Sequence, residues 1–205
     1  MTYDVLIIGG SVAGVSCAMI LGSASKKAFV ADKKIAIIAH QKASALQDGI
    51  YNNAYGIPVG TLGSELLTNT LTDLKQTFPQ IDCLEDEKVI EITKETEVFK
   101  VITNKGNIYD SKIIVVATGN GSMTIKGLET YVIPHQKSIP EKNRIQLKNN
   151  DHKVDTNFYV AGTLAGHRSQ LSIASGSGAM VATDILVDWN GGKETHAHDS
   201  IRKKI

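Results

Sequence analysis

Six residues near the start of the chain, Gly9, Gly10, Ser11, Val12, Ala13 and Gly14, have the types and spacing to hold a dinucleotide pyrophosphate. In the G-x-G-x-x-G pattern the first glycine makes the tight turn after a strand. The second lets the backbone approach the diphosphate, and the third lets helix and strand pack closely. Here Ser11 takes the second position; it is small enough for close approach, and its hydroxyl can donate to a phosphate oxygen. The helix that follows such a turn aims free N–H groups and the positive end of its dipole at the anion. A purely structural turn is the competing explanation, and the turn alone does not name the dinucleotide.

Other residues with chemical potential point less clearly. Cys17 and Cys83 form no C-x-x-C pair, which argues against a disulfide framework, a metal cluster or a redox dithiol. Cys17 falls on the packing face of the first expected helix and reads as a small buried hydrophobe. His196-Ala197-His198-Asp199 has metal-ligating types, but a polar C-terminus is expected to be a solvated tail, so no metal site is assigned. His135 and His152 sit in strand or loop contexts with no identifiable partner.

The elements that position the turn follow from apolar patterning. Asp4 to Ile8 is a short apolar run suited to a strand buried on both faces, and Val12 to Leu21 carries small and apolar residues at helical spacing. Ile35 to Ala39 is the favoured second strand, which puts His40, Gln41 and Lys42 where the fingerprint's ribose-binding carboxylate stands. The alternative, Ala28 to Ala31, would put Asp32 there. Ser64 to Phe78 reads as an amphipathic helix. Lys88 to Ile92, Val98 to Thr103 and Asn107 to Asp110 read as short antiparallel strands, with a hairpin turn at Asn104-Lys105-Gly106. Ile113 to Val116 and Phe158 to Ala161 are further buried strands, two weaker ones lie between Thr130 and Asn150, and Gln170 to Trp189 is a long final helix. A parallel βαβ core with an antiparallel meander is an α/β, Rossmann-like, three-layer nucleotide-binding fold.

A chain of 205 residues that is 42% hydrophobic can bury one core. The expected division is one domain over residues 1–190 and a polar tail over 191–205. Net charge is +1, and Arg202, Lys203 and Lys204 form the one basic run, so no nucleic-acid or anionic-membrane footprint is expected. No apolar run is long enough to span a bilayer, and a strand starting at Tyr3 leaves no room for a leader, so a cytoplasmic location is expected.

Beyond the glycine turn, several segments resemble the thioredoxin-reductase-like branch of the FAD-dependent pyridine nucleotide-disulfide oxidoreductases. Gly9 to Gly14 resembles that family's FAD turn, which often has a central serine. Asn53 to Pro58 followed by Gly63-Ser64-Glu65-Leu66 resembles its loop and helix beside the flavin, and Ala117-Thr118-Gly119 matches its strand-ending motif. Tyr159 to Thr163 and Ser169-Gln170-Leu171 through Gly178 resemble its C-terminal motif, where a strand ends at the ribityl chain and a helix N-terminus faces the isoalloxazine. The resemblance implies FAD as cofactor, with Asn53, Gly162, Thr163, His167 and Arg168 among the residues around it. A cation at His167 or Arg168 would stabilise an anionic reduced flavin; Arg168 pairing with a neighbouring carboxylate is the plainer alternative.

The departures narrow that implication. Only Asn120 to Thr156 separates the two later motifs, too little for the family's inserted NAD(P)H domain, and no second glycine fingerprint or C-x-x-C occurs. Thr163 stands where the family has aspartate, which implies a weaker hold on the cofactor. The expected function is a flavoprotein of oxidoreductase type without its own NAD(P)H domain. A separate reductase or electron-transfer partner, or self-association, is then expected. A non-catalytic FAD-binding module, a subunit of a split flavoprotein and an NAD(P)-dependent dehydrogenase remain as alternatives.

Overall fold

Alternation in four central strands divides the protein into layers. The computed structural model describes residues 2–40 and 44–197. In β1 (Thr2–Ile8), Val5 and Ile7 point to one face of the sheet and Leu6 and Ile8 to the other. The same two-sided burial recurs in β2 (Ile35–Ala39). One core therefore lies between the sheet and the helices, and a second lies on the sheet's other face, where Val89, Ile92, Phe99 and Val101 of the antiparallel hairpin join Ile125, Leu128 and Leu147.

The helical side holds α1 (Val12–Ser23) and α2 (Gly63–Thr77); β3 (Ile50–Tyr51) and β4 (Thr61–Leu62) form a small hairpin before α2. Next come β5 (Ile81–Glu85), β6 (Val89–Lys94), β7 (Phe99–Thr103) and β8 (Ile108–Val116). A β9 (Val132–Pro134) and β10 (Ile145–Leu147) pair follows, then β11 (Lys153–Asp155), β12 (Phe158–Val160) and α3 (Leu171–Trp189). In the main sheet β5, β2, β1, β8 and β12 lie side by side and parallel, and β11 pairs antiparallel with β12. The expected α/β three-layer fold is what forms, with α1 and α3 packed together over the sheet.

One expectation about strands needs correction, one strand lacks a sequence signal, and the favoured second strand forms. Asn107 to Asp110 and Ile113 to Val116 are one nine-residue strand, β8. Its first half pairs antiparallel with β7 and its second half parallel with β12, so the polar Asp110-Ser111-Lys112 segment marks a change of partner, not a break. The edge strand β5 is absent from the pattern because only Ile81 of its five residues is buried; an edge strand has one neighbour and tolerates Asp82 and Glu85. Ala28 to Ala31 is a turn, which leaves Ile35–Ala39 as the second strand. The Gly106 turn stands as expected, with φ of 79°.

Cys17 is fully buried in the helical core, and burial pushes both its thiol and that of half-buried Cys83 upward. A neutral thiol reagent should therefore modify Cys83 slowly and leave Cys17 intact until denaturant is added. Equal labelling of the two in the native protein, read by mass spectrometry of peptides, would contradict this packing.

Candidate cofactor site

The glycine turn is fixed by clearances that admit no side chain. Gly9 follows β1 with φ of 125°, and a Cβ there would lie 2.4 Å from the Ala117 carbonyl oxygen. The turn is tied to both neighbouring strands: Gly9 N–H donates to the Ile38 carbonyl at 2.9 Å, and Ala117 N–H donates to that of Ile8 at 2.8 Å. A Cβ on Gly14 would sit 1.9 Å from the Gly9 carbonyl oxygen, so helix and strand meet backbone to backbone. Ser11 is the N-cap of α1 in an extended conformation and makes no side-chain cap bond. Its hydroxyl instead receives a hydrogen bond from Ser44 Oγ at 3.0 Å. The first N–H groups of α1 have no carbonyl within the helix to bond, which is the arrangement that holds an anion.

The C-terminal motif closes on this same turn. A Cβ on Gly178 would lie 1.9 Å from the Ala13 carbonyl oxygen, and Gly162, at φ of 73°, would place its Cβ 3.1 Å from that of Ala13. Ser16 Oγ donates to the Ser175 carbonyl at 2.8 Å. Gly9–Gly14, Ala117 and Gly162–Gly178 are thus brought together, as the motifs required. Ala117 is buried at the end of β8, Thr118 is exposed and Gly119 turns with φ of 81°. Gly119, Gly121 and Gly176 face open space, where an added Cβ meets nothing within 4 Å.

His40 follows β2 on the glycine-turn side, half-buried, and its Nδ1 is buried without a hydrogen-bond partner. An imidazole nitrogen in that place suits a ribose hydroxyl. Asp32 is exposed three residues before β2 begins, at the end of that strand opposite to His40. Gln41, Lys42, His198 and Asp199 lie outside the described residues. Asn53 is exposed in the loop between β3 and β4 and is not part of the α1–α3 junction. Ser169 and Gln170 are exposed, with Gln170 as N-cap and Leu171 as first residue of α3. Arg168 is exposed, and its guanidinium lies 3.5 Å from the Lys137 carbonyl rather than beside a carboxylate.

His135 and His152, which the sequence left without partners, both reach the C-terminal turn. Lys137 N–H donates to His135 Nδ1 at 3.1 Å, so Nε2 carries the hydrogen and donates to the carbonyls of Thr163 and His167 at 3.1 and 3.2 Å. Gly162 N–H donates to Ser177 Oγ at 2.8 Å, and Ser177 Oγ lies 2.9 Å from His152 Nε2. His167 Nε2 lies 2.8 Å from that same nitrogen. Burial holds His152 below the usual imidazole range despite the nearby Asp151. Burial also lowers His167, helped by His152 and Lys137 and opposed by Asp151. No local sequence signal could have found this cluster, since 32 residues separate His135 from His167.

With this geometry in place, comparison with known proteins is decisive for the family. The model for the pyridine nucleotide-disulphide oxidoreductases matches residues 3–163. The chain belongs to that family. Ferredoxin--NADP reductase 1 of Listeria welshimeri serovar 6b is 32% identical over 161 residues, which are 78% of this chain and 46% of that protein. The ferredoxin--NADP reductase of Streptococcus mutans serotype c is 25% identical over 187 residues, 91% of this chain and 48% of that one. This member of the oxidoreductase family thus spans about half the length of the curated relatives it matches. A thioredoxin reductase from Gloeobacter violaceus shares the fold with a TM-score of 0.73 at 16% identity, covering 98% of this chain and 99% of its own. An oxidoreductase from Agrobacterium tumefaciens does so with a TM-score of 0.70 at 13% identity, covering 94% and 100%. FAD is the cofactor of this oxidoreductase family. The residues present fit it, through the backbone cradle at Gly9–Gly14, the orphaned His40 Nδ1 and the open glycines.

Two α3 glycines should respond in opposite ways to alanine. Gly178→Ala forces α3 away from the Ala13 carbonyl and should cost about 1–3 kcal/mol as overpacking. Gly176→Ala, in open space, should be neutral or gain about 0.5–1 kcal/mol from lost backbone freedom in the unfolded chain. Urea melts of the two variants check this, and equal effects would contradict the packing.

Acid should also weaken the protein in a defined window. His152 and His167 resist protonation when folded, so the unfolded chain binds more protons as pH falls below its imidazole value of about 6.5. The thermal midpoint should therefore be lower at about pH 5.5 than at about pH 7.5. His167→Gln should reduce that difference, and a midpoint that rises on acidification would contradict the assignment.

Proposed function

We propose that residues 1–190 form an FAD-binding domain of oxidoreductase type whose electron partner is a separate molecule. The observation that carries this reading is the closure of Gly162–Gly178 onto the first turn of α1, with His40 Nδ1 unpartnered at the ribose position. Bound there, the cofactor would supply hydride and electron transfer; the protein supplies binding, orientation and electrostatics. In this reading the N–H groups of Gly10 to Gly14 and the Ser11 hydroxyl take the pyrophosphate, and His40 takes a ribose hydroxyl. Ala117, Thr118 and Gly119 border the cofactor where β8 ends. Thr163 bonds the ribityl side, and the start of α3 at Ser169-Gln170-Leu171 presents its N–H groups to the flavin ring. No acid, base or nucleophile is assigned to the reaction.

A partner is part of the proposal because the segment 120–156 is filled by β9, β10 and turns rather than by a second nucleotide domain. Reduced nicotinamide arriving freely, a separate reductase, or a subunit carrying the pyridine-nucleotide domain would each serve. Because a ferredoxin--NADP reductase is among the relatives, a ferredoxin is a fitting acceptor to try first. Among the described residues no helix is long and apolar enough to cross a membrane.

The purified protein, loaded with FAD, should show flavin absorption bands and quench flavin fluorescence on binding. His40→Ala should weaken FAD about threefold to tenfold, the effect of one hydrogen bond of about 0.5–1.5 kcal/mol. A chain that binds no FAD in calorimetry, or that binds NADPH at the glycine turn instead, would overturn the reading. Bleaching by NADPH alone would show that no separate reductase is required.

A further inference from the structure

Behind the Gly162 turn two imidazoles face each other nitrogen to nitrogen. His152 Nε2 is 2.8 Å from His167 Nε2 and 2.9 Å from Ser177 Oγ, with the ring centroids 4.9 Å apart. Ser177 Oγ accepts the Gly162 N–H and lies beside His152 Nε2. His152 Nδ1 is buried without a hydrogen-bond partner, 3.7 Å from Asp151 Oδ1. A carboxylate on that side favours the tautomer with hydrogen on Nδ1, because it would repel a lone pair there. His152 Nε2 is then an acceptor, and the hydrogen between the rings belongs to His167. That leaves Nδ1 as the one basic nitrogen of His167.

The pair has room for one added proton. On His167 Nδ1 it turns the contact between the rings into a charge-assisted bond, which is stronger than the neutral one. A second proton, on His152 Nε2, would set two N–H groups against each other at 2.8 Å. The surrounding charged and titratable groups come from four segments. Asp151 lies in the turn before β11, His135 and Lys137 in the segment after β9, and Arg168 follows His167 in the chain. From α3 come neutral Ser177 and, beyond it, Asp184, which feels Asp151. Lys137 opposes a charge on His167 and Asp151 favours it, so an anion arriving nearby can tip the balance.

We propose that His167 is the proton acceptor coupled to the charge on the cofactor, and that His152 is the positioning residue that fixes which nitrogen takes the proton. The proposal rests on the reading that the 162–171 turn faces FAD. Bound there, FAD would supply a hydride-accepting centre that gains negative charge on reduction, and His167 Nδ1 would take one proton from solvent. The balance is two electrons and two protons per flavin, one proton arriving with the hydride and one resting on His167. His152 touches no reacting atom; it acts by holding the His167 Nε2–H.

Two measurements test this. In redox titrations of the FAD-loaded protein with dithionite between about pH 7 and pH 8, the wild-type midpoint should fall by about 59 mV per pH unit. His167→Gln should fall by about 30 mV, since each proton in a two-electron couple contributes about 30 mV. Equal slopes in the two proteins would overturn the proposal. In the protein without FAD, long-range proton–nitrogen spectra should show His152 carrying hydrogen on Nδ1 and His167 titrating at Nδ1. His152→Asn should release the His167 tautomer while the fold persists by circular dichroism. Hydrogen found on His152 Nε2, or an unchanged His167 in that variant, would overturn it whether or not FAD binds. Failure to bind FAD would instead count against the cofactor reading alone.

Discussion

Backbone meets backbone at the first turn of α1, and the rest of the site depends on that contact. Gly14 lets α1 lie against the Gly9 carbonyl, and Gly178 lets α3 lie against the Ala13 carbonyl; a Cβ at either place would fall 1.9 Å from an oxygen. Neither approach is possible with a larger residue unless the helices separate. The helical core of small residues, Ala13, Cys17 and Ala18, extends that close packing along α1. Because the junction is rigid, the N–H groups at the start of α1 are held in place before any anion arrives, which lowers the ordering cost of binding one.

Electrostatics around the junction come from dipoles and neutral imidazoles more than from fixed charge. The first turn of α1 holds no acidic residue, and in the proposed site His40 stands where the fingerprint usually has a carboxylate. Thr163 replaces another carboxylate. Both departures remove negative charge from beside a diphosphate while giving up strong acceptors for its sugar hydroxyls. The histidine cluster behind Gly162 sets the imidazoles of His152 and His167 nitrogen to nitrogen at 2.8 Å beside this junction.

Much of this was legible in the sequence because it rests on local signals. Buried parallel strands declare themselves by unbroken apolar runs, as in Ile35 to Ala39 and Ile113 to Val116. The glycine turn declares itself by spacing, and the order of the later motifs named the family that the match over residues 3–163 bears out. What stayed hidden depends on distant partners. β5 is polar because it sits at an edge, and β8 looks broken because it changes partners midway. His135, His152 and Ser177 are joined only by the fold, so no spacing could announce them. Which of Ala28 to Ala31 and Ile35 to Ala39 is the second strand depends on sheet pairing, and Ile35 to Ala39 pairs with both β1 and β5.

The central claim is that the α1–α3 junction is where the dinucleotide lies. Amide nitrogen–proton spectra recorded as FAD is added test it most directly, residue by residue. The largest shifts should fall at Gly10 to Gly14, at Thr118 and Gly119, and from Gly162 to Leu171. Residues lining the hollow of about 440 Å³ beside Met123, Lys126 and Val132 should stay still. Shifts concentrated at that hollow, with the glycine turn unmoved, would contradict it.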